Sequence, residues 1–233
     1  MNYMGEQIVK KHIFSQYPYR IELHAHTNPA SGCSTLTPGQ LVEFYAEKGY
    51  HGVVLTNHFE PDKLVFGKEK AVDMVMGDYE AAKTAAEKYG ICVYLGAELR
   101  FRENINDYLV YGLEVEDLYR LPLLNRMASI DEVLDILPDY TCVVHAHPFR
   151  NSMTVRDPSR FFGIEVHNGG TEPFRNALAQ TWAAHYGKAM LSGSDCHGPE
   201  AVAQGGITTD TPIYTPADLT NILRCGKYQL IKP

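Results

Sequence analysis

The stretch Arg20-Ile21-Glu22-Leu23-His24-Ala25-His26-Thr27 is the one on which the reading of this chain turns. It alternates like a β-strand, whose side chains point to opposite faces by turns, so His24 and His26 share a face about 7 Å apart while Ile21, Leu23 and Ala25 take the apolar side. Imidazole is the commonest metal-ligating side chain. Two of them where a strand runs into a loop leave two readings open: a pair of exposed histidines, or one edge of a metal site.

Outward from this strand the pattern repeats. After a loop of small residues, Asn28 to Thr35, Thr37 caps a helix with Pro38 at its first position and Gly49 as its stop. Gly52-Val53-Val54-Leu55-Thr56 is too short and β-branched for a helix, and this strand delivers His58 at its exit. A helix over residues 71–89, closed by Gly90, leads to a strand from Ile91 to Glu98, with Arg100 and Arg102 continuing the face of Glu98. Asp107 to Gly112 reads as a strand, Ser129 caps a short helix, and the strand Thr141 to Val144 runs into His145-Ala146-His147-Pro148, where the proline marks its end. Phe161 to Val166 exits into His167 and Asn168, a helix crosses residues 172–186, and the strand Ala189 to Gly193 releases Ser194-Asp195-Cys196-His197. A strand near 206–209, a helix capped by Thr215 and a last short strand complete the chain.

Strands alternating with helices predict a parallel sheet whose strand-exit loops gather on one face, where ligands bind. His24, His26, His58, Glu98, His147, Asp195 and His197 all fall at such exits, a placement that scattered surface residues have no reason to share. Mixed imidazole and carboxylate donors suit zinc, manganese or iron rather than magnesium or calcium. They also outnumber the needs of one tetrahedral ion, so two to three divalent ions are expected, with Glu98 as the bridge. Multinuclear centres activate a water and stabilise the attacking and leaving oxygens of a phosphate ester, which makes hydrolysis the expected chemistry.

Bulk properties narrow the class. The 233 residues fit one barrel or doubly wound domain, and no linker or low-complexity segment divides residues 1–233. A net charge of −7 gives no general attraction to nucleic acid or anionic lipid and favours a small-molecule substrate. No apolar run is long enough for a leader or a membrane span, so a cytoplasmic protein is expected. The five cysteines form no Cys-x-x-Cys pair, which argues against a disulfide framework or a zinc knuckle. His12 reads as a surface or packing residue, and His51 and His185 as solvated.

The ordered set His24-Ala25-His26-Thr27, Thr56-Asn57-His58, Gly96-Ala97-Glu98, Ala146-His147-Pro148 and Ser194-Asp195-Cys196-His197 resembles the PHP (polymerase and histidinol phosphatase) superfamily over roughly residues 20 to 230. The resemblance implies a distorted seven-stranded (β/α)7 barrel, a trinuclear metal site at the strand C-termini and phosphoesterase activity. It assigns the metal-ligand positions to His24, His26, His58, Glu98, His147, Asp195 and His197. Small free-standing members resemble histidinol-phosphate phosphatases, nucleotide phosphatases and exonucleases.

The chain also departs from the family. Asn57 stands where an aspartate is frequent, and no histidine or aspartate lies between residues 28 and 36. One ligand of the usual set is therefore missing unless Cys33 or water replaces it. His167 is a further candidate ligand, His145 is expected to support from the barrel interior, and Cys196 is expected to face away from Asp195 and His197. Asp195, Glu98 and His197 are the candidate catalytic groups. Arg150 is the first candidate for clamping phosphate, with Arg100 and Arg102 behind it, because the planar guanidinium can donate two parallel hydrogen bonds. The expected function is a metal-dependent phosphoesterase acting on a small phosphorylated metabolite or nucleotide. Two alternatives remain: an exonuclease trimming short strands, disfavoured by the acidic charge and the lack of an aromatic-basic stripe, and a catalytically silent metal-binding regulatory protein.

Overall fold

The computed structural model describes residues 17–62, 67–120 and 129–233, so His12 lies outside the described residues. Among the described residues ten strands form one mixed sheet: β1 (Tyr19–Ala25), β2 (Gly52–Leu55), β3 (His58–Phe59), β4 (Cys92–Arg100), β5 (Asp107–Tyr111), β6 (Cys142–His145), β7 (Gly163–Asn168), β8 (Ala189–Gly193), β9 (Ile207–Thr209) and β10 (Tyr228–Leu230). Nine follow the order β10-β9-β1-β2-β4-β5-β6-β7-β8, and β3 pairs with β4 beside that path. The sheet curls until its two sides nearly meet. Ala25 bridges to Cys196 just past β8, His26 N–H donates to Cys196 O at 3.0 Å, and Cys196 N–H donates to His24 O at 3.1 Å.

The helices are α1 (Pro38–Glu47), α2 (Lys68–Tyr89), α3 (Val115–Arg120), α4 (Ile130–Leu134), α5 (Pro173–His185) and α6 (Pro216–Cys225). Their ends follow from local chemistry. Thr37 with Gln40 and Thr215 with Asp218 form capping boxes, while Gly90 and Gly226 close α2 and α6 in the left-handed conformation.

The expected seven-stranded (β/α)7 barrel is corrected in strand number and direction: among the described residues the sheet holds ten strands rather than seven, and β9 runs antiparallel to β1 and β10. β1, β2, β4, β6, β7 and β8 form parallel neighbours where they pair, but β5 runs antiparallel to both β4 and β6. No helix separates β4 from β5 or β6 from β7. The turn after β4 is only a few residues long, too short for a crossover to a parallel strand, so the chain doubles back as a hairpin.

The alternation along β4 divides the core. Val93, Leu95 and Ala97 pack outward with α1 and α2, while Tyr94 joins Ile21, Leu23, Val54, Tyr111 and Val144 inside. Leu219 and Leu223 of α6 seal the apolar end of that interior. The opposite end holds the histidines and carboxylates. β1 itself departs from strict alternation: its pairing with β2 slips one residue between Glu22 and Ala25, so Ala25 packs outward while Ile21 and Leu23 stay inside. No described helix is long and apolar enough to cross a membrane.

Candidate metal centre

Pairing register brings the site together. Parallel pairing of β3 with β4 sets His58 opposite Glu98, and antiparallel pairing of β5 with β4 sets Asp107 opposite Arg100. β1 supplies His24, the position just past that strand supplies His26, the turn after β6 supplies His147, and the turn after β8 supplies Asp195 and His197. His147 and Asp195 hold positive φ values of 27° and 55°. Non-glycine residues rarely adopt that conformation, and it concentrates at functional sites where surrounding structure enforces it.

Glu98 lies at the centre. Its Oε1 is 3.3 Å from His24 Nε2 and 3.2 Å from His147 Nε2, while its Oε2 is 2.9 Å from His58 Nδ1 and 3.3 Å from His26 Nε2. Each oxygen thus faces a different pair of imidazoles. Asp195 Oδ1 adds contacts of 3.4 Å to His24 Nε2 and 3.3 Å to His26 Nε2. Four overlapping triads place their donor atoms within 4.8 Å of one another: His26, His58 and His197; His24, His147 and Asp195; His24, His26 and Glu98; and Glu98, Asp107 and His147.

The supporting contacts fix ring orientation. Glu165 Oε1 lies 2.9 Å from His24 Nδ1, and Glu165 Oε2 accepts from His147 N–H and from Asn168 Nδ2, both at 2.9 Å. A carboxylate on the far ring nitrogen sets the tautomer of a ligating histidine. Gly193 leaves room for this pair, since a Cβ there would fall 2.4 Å from His24 Cβ and 2.7 Å from Glu165 Oε1.

Electrostatically the cluster asks for cations. Burial alone would deprotonate His24, but Asp195, Glu165 and Glu98 hold it well above the ordinary imidazole value. His58 is likewise raised to about 10 against its burial, chiefly by Glu98. Burial and the neighbouring His58 push His26 down to about 3. Glu98 and Asp195, although buried, are held well below the ordinary carboxylate range, in both cases first by His24. Buried charge persists only when it is compensated. His24 Nε2, both ring nitrogens of His26, His147 Nδ1 and Glu98 Oε2 are buried and make no hydrogen bond. Buried imidazole nitrogens and carboxylate oxygens converging in this way are the donors that divalent zinc, manganese or iron requires, so the residues present fit a metal centre.

A cavity of about 520 Å³ opens onto the cluster, lined by His58, His147, His197, Glu98, Asp107 and Asp195 with Cys33, Glu60, Arg100, Arg150 and Gly32. Arg150 reaches across it. Its Nη2 pairs with Asp195 Oδ2 and donates to Asn168 Oδ1 at 2.8 Å, and its Nε donates to Thr171 Oγ1 at 3.0 Å. Partial burial would raise the Cys33 thiol, but hydrogen bonds with His197 and His58 outweigh it and lower it to about 6.

Residues 173–228 match the model of the PHP-associated family PHP_C. Among solved structures, PsfC from Pseudomonas syringae superposes with a TM-score of 0.67 at 15% identity, covering 92% of this chain and 91% of that one. A two-domain protein from Bacteroides vulgatus, described as containing a predicted PHP-like metal-dependent phosphoesterase, gives 0.62 at 16% identity, covering 92% of this chain and 64% of that one. The chain shares the fold of these structures, and its C-terminal quarter matches the PHP-associated model. A structure described as a metal-dependent phosphoesterase from Bifidobacterium adolescentis gives 0.51 at 19% identity, covering 77% of this chain and 88% of that one. No curated protein matches the chain.

Within this fold, His24, His26, His58, Glu98, His147, Asp195 and His197 converge as their strand positions suggested. His167 is not brought to them. The pairing of β7 with β8 slips between Glu165 and His167, which turns His167 toward a separate hollow where its Nε2 lies 2.8 Å from Gln204 O. His145 packs among Tyr108 and Phe161 on the helix side of the sheet rather than in the barrel interior, because β6 ends at His145 and the chain turns before His147. Cys196 faces the helix-side core, away from the cluster. Arg100 lines the cavity but is engaged by Asp107, with Nε–Oδ1 and Nη2–Oδ2 both 2.7 Å. Arg102 lies in the turn beyond β4, exposed and off the cavity wall. Asn57 is a latch: its Oδ1 accepts from Thr27 N–H at 2.8 Å and Ser31 Oγ at 2.9 Å, tying the loop after β1 to the loop after β2.

Sequence reasoning passed over Asp107 and Glu165. Asp107 opens β5, and only because β5 is reversed does a strand's first residue lie at the rim where other strands end. Glu165 stands mid-strand in an apolar run, and a lone carboxylate flanked by Ile164 and Val166 was the available signal.

Proposed function

We propose that the protein is a metal-dependent phosphoesterase that hydrolyses a small phosphorylated metabolite or nucleotide, as a phosphomonoesterase of the histidinol-phosphate or nucleotide phosphatase type. The observation that carries the reading is the meeting, in one polar cavity, of a His/Asp/Glu cluster suited to divalent ions with an arginine anchored beside it. His24, His26, His58, Glu98, His147, Asp195 and His197, joined by Asp107, would hold two to three ions of zinc, manganese or iron, with Glu98 between them. When bound, these ions would lower the pKa of water and offset the charge that builds on phosphate oxygens.

The chain's own groups supply the rest. The Arg150 guanidinium, held in place by Asn168 and Thr171, donates to non-bridging phosphate oxygens and fixes the ester's orientation. Asp195 presents Oδ1 to His24 and His26 and Oδ2 to Arg150, so one oxygen serves the metal side while the other can take the proton of the attacking water on the substrate side. His197, less buried than the inner imidazoles, lies at the cavity wall to assist the leaving oxygen. Among the described residues the wall carries no phenylalanine, tyrosine, tryptophan or aliphatic side chain, which favours a compact polar ester over an oligonucleotide held by base stacking.

The test is phosphate release by the purified protein, reconstituted with Mn²⁺ or Zn²⁺, from a panel of sugar phosphates, amino-alcohol phosphates, nucleoside monophosphates and short oligonucleotides. Chelator-sensitive turnover of a small monoester is expected. Metal bound without hydrolysis of any ester in the panel would instead indicate a silent metal-binding protein.

A further inference from the structure

The loop after β1 carries Cys33, and the residues flanking it are bonded to all three histidines of the outer triad. Ser34 Oγ donates to His26 O at 2.9 Å, Thr35 N–H donates to His197 O at 2.8 Å, and Ser31 Oγ accepts from His58 N–H at 3.0 Å. The loop is closed at its base by Asn28 N–H donating to Leu36 O at 2.8 Å. Cys33 therefore has a fixed place relative to the triad, and it lines the same cavity as His58 and His197. The third histidine supplies independent evidence of a ligand. His26 is fully buried, stacks between His58 and His197 at ring separations of 4.4 and 4.3 Å, and makes no hydrogen bond with either nitrogen. A buried imidazole without a hydrogen bond is a costly arrangement unless it serves as a donor to something else.

We propose that Cys33 supplies a thiolate to an ion held by His26, His58 and His197, making the outer position of the centre a tetrahedral Cys-His₃ site. The inference rests on the metal-centre reading above and refines it. Three imidazoles and one thiolate match the soft tetrahedral donor sets that zinc takes. The inner positions, built from His24, His147, Glu98, Asp107 and Asp195, are richer in oxygen and lack sulfur. The two halves of the centre thus differ in softness: the outer half selects zinc over manganese, and the inner half accepts either. Cys33 is also the exposed member of the set, so modification of its thiol would release the outer ion first.

The probe is cobalt(II) bound to the full chain. A thiolate-to-cobalt charge-transfer band in the near ultraviolet is expected in the native protein. It should vanish in Cys33→Ser together with loss of one bound ion, and persist in Cys225→Ser, which changes the other exposed thiol. Matching thermal melts of the metal-free variants would establish that each is folded, and cobalt should slow alkylation of Cys33 by iodoacetamide. Cobalt bound without the band, or a band that survives Cys33→Ser, overturns the thiolate assignment and leaves the metal centre standing. Failure of the native protein to bind cobalt at all overturns both.

Discussion

Replacing Gly193 by alanine would test whether the centre is held by packing as well as by its donors, since this change alters no candidate ligand. The added Cβ would lie 2.4 Å from His24 Cβ and 2.7 Å from Glu165 Oε1. Carbon atoms in contact stand about 3.5–4.0 Å apart, so His24 must retreat by roughly 1 Å or more. Gly193 cannot give way instead, because Gly205 is packed so closely behind it that a Cβ on Gly205 would fall 2.2 Å from Gly193 C. Overpacking of this kind costs about 1–3 kcal/mol, and in a chain of this size each kcal/mol lowers the melting temperature by about 2–4 °C. Displacing a histidine from its orienting carboxylate costs about 10–100-fold in metal affinity. Equilibrium dialysis with elemental analysis, alongside melts with and without metal, reads both effects. A folded Gly193→Ala protein that binds metal with native stoichiometry and affinity would refute the view that His24 and Glu165 are positioned by the close approach of β8.

Three further outcomes are expected. Arg150→Ala should raise KM for a phosphate ester about 10- to 100-fold, the equivalent of a charged hydrogen bond worth about 1.5–3 kcal/mol, without loss of bound metal; unchanged kinetics would remove Arg150 from the substrate site. Asp107→Asn should weaken metal binding measurably in a dialysis titration, whereas native affinity would make Asp107 only a partner for Arg100. The metal-free protein should lose stability as pH rises, because His58 is raised from 6.5 to about 10 by Glu98 against its burial. That contribution is complete below the unfolded value and fades as pH climbs through the folded one. His58→Gln should therefore flatten the alkaline fall in melting temperature, and an unaltered slope would contradict the ion pair. Glu98 and Asp195, held below their ordinary range, act in the opposite sense: their contribution is lost in acid.

Much of the site was legible in the sequence because strand exits share a rim, and His24, His58, Glu98 and Asp195 could each be placed from a short apolar run and what followed it. The failures trace to features that local pattern does not encode. A register slip inside β7 sends His167 elsewhere, and the turn at His147 breaks the two-residue periodicity that paired it with His145. The reversal of β5 depends on the length of a turn rather than on the strand's composition, and with it the role of Asp107 was hidden. Glu165 is buried at mid-strand, where a charged residue reads as an exception until its partners His24 and Asn168 are seen.

The bridge between Ala25 and Cys196 places the meeting line of the barrel directly beneath the histidine cluster. On one side stand His24 and His26, on the other Asp195 and His197, some 170 residues later in the chain. An ion held from both sides would act as a clasp across that line. Joining points this distant removes chain freedom from the unfolded state worth roughly 5 kcal/mol in the loop-entropy description of cross-links. Chelation would then do more than silence chemistry: it would unfasten the first strand from the segment after the eighth, and proteolysis near that line should report the opening.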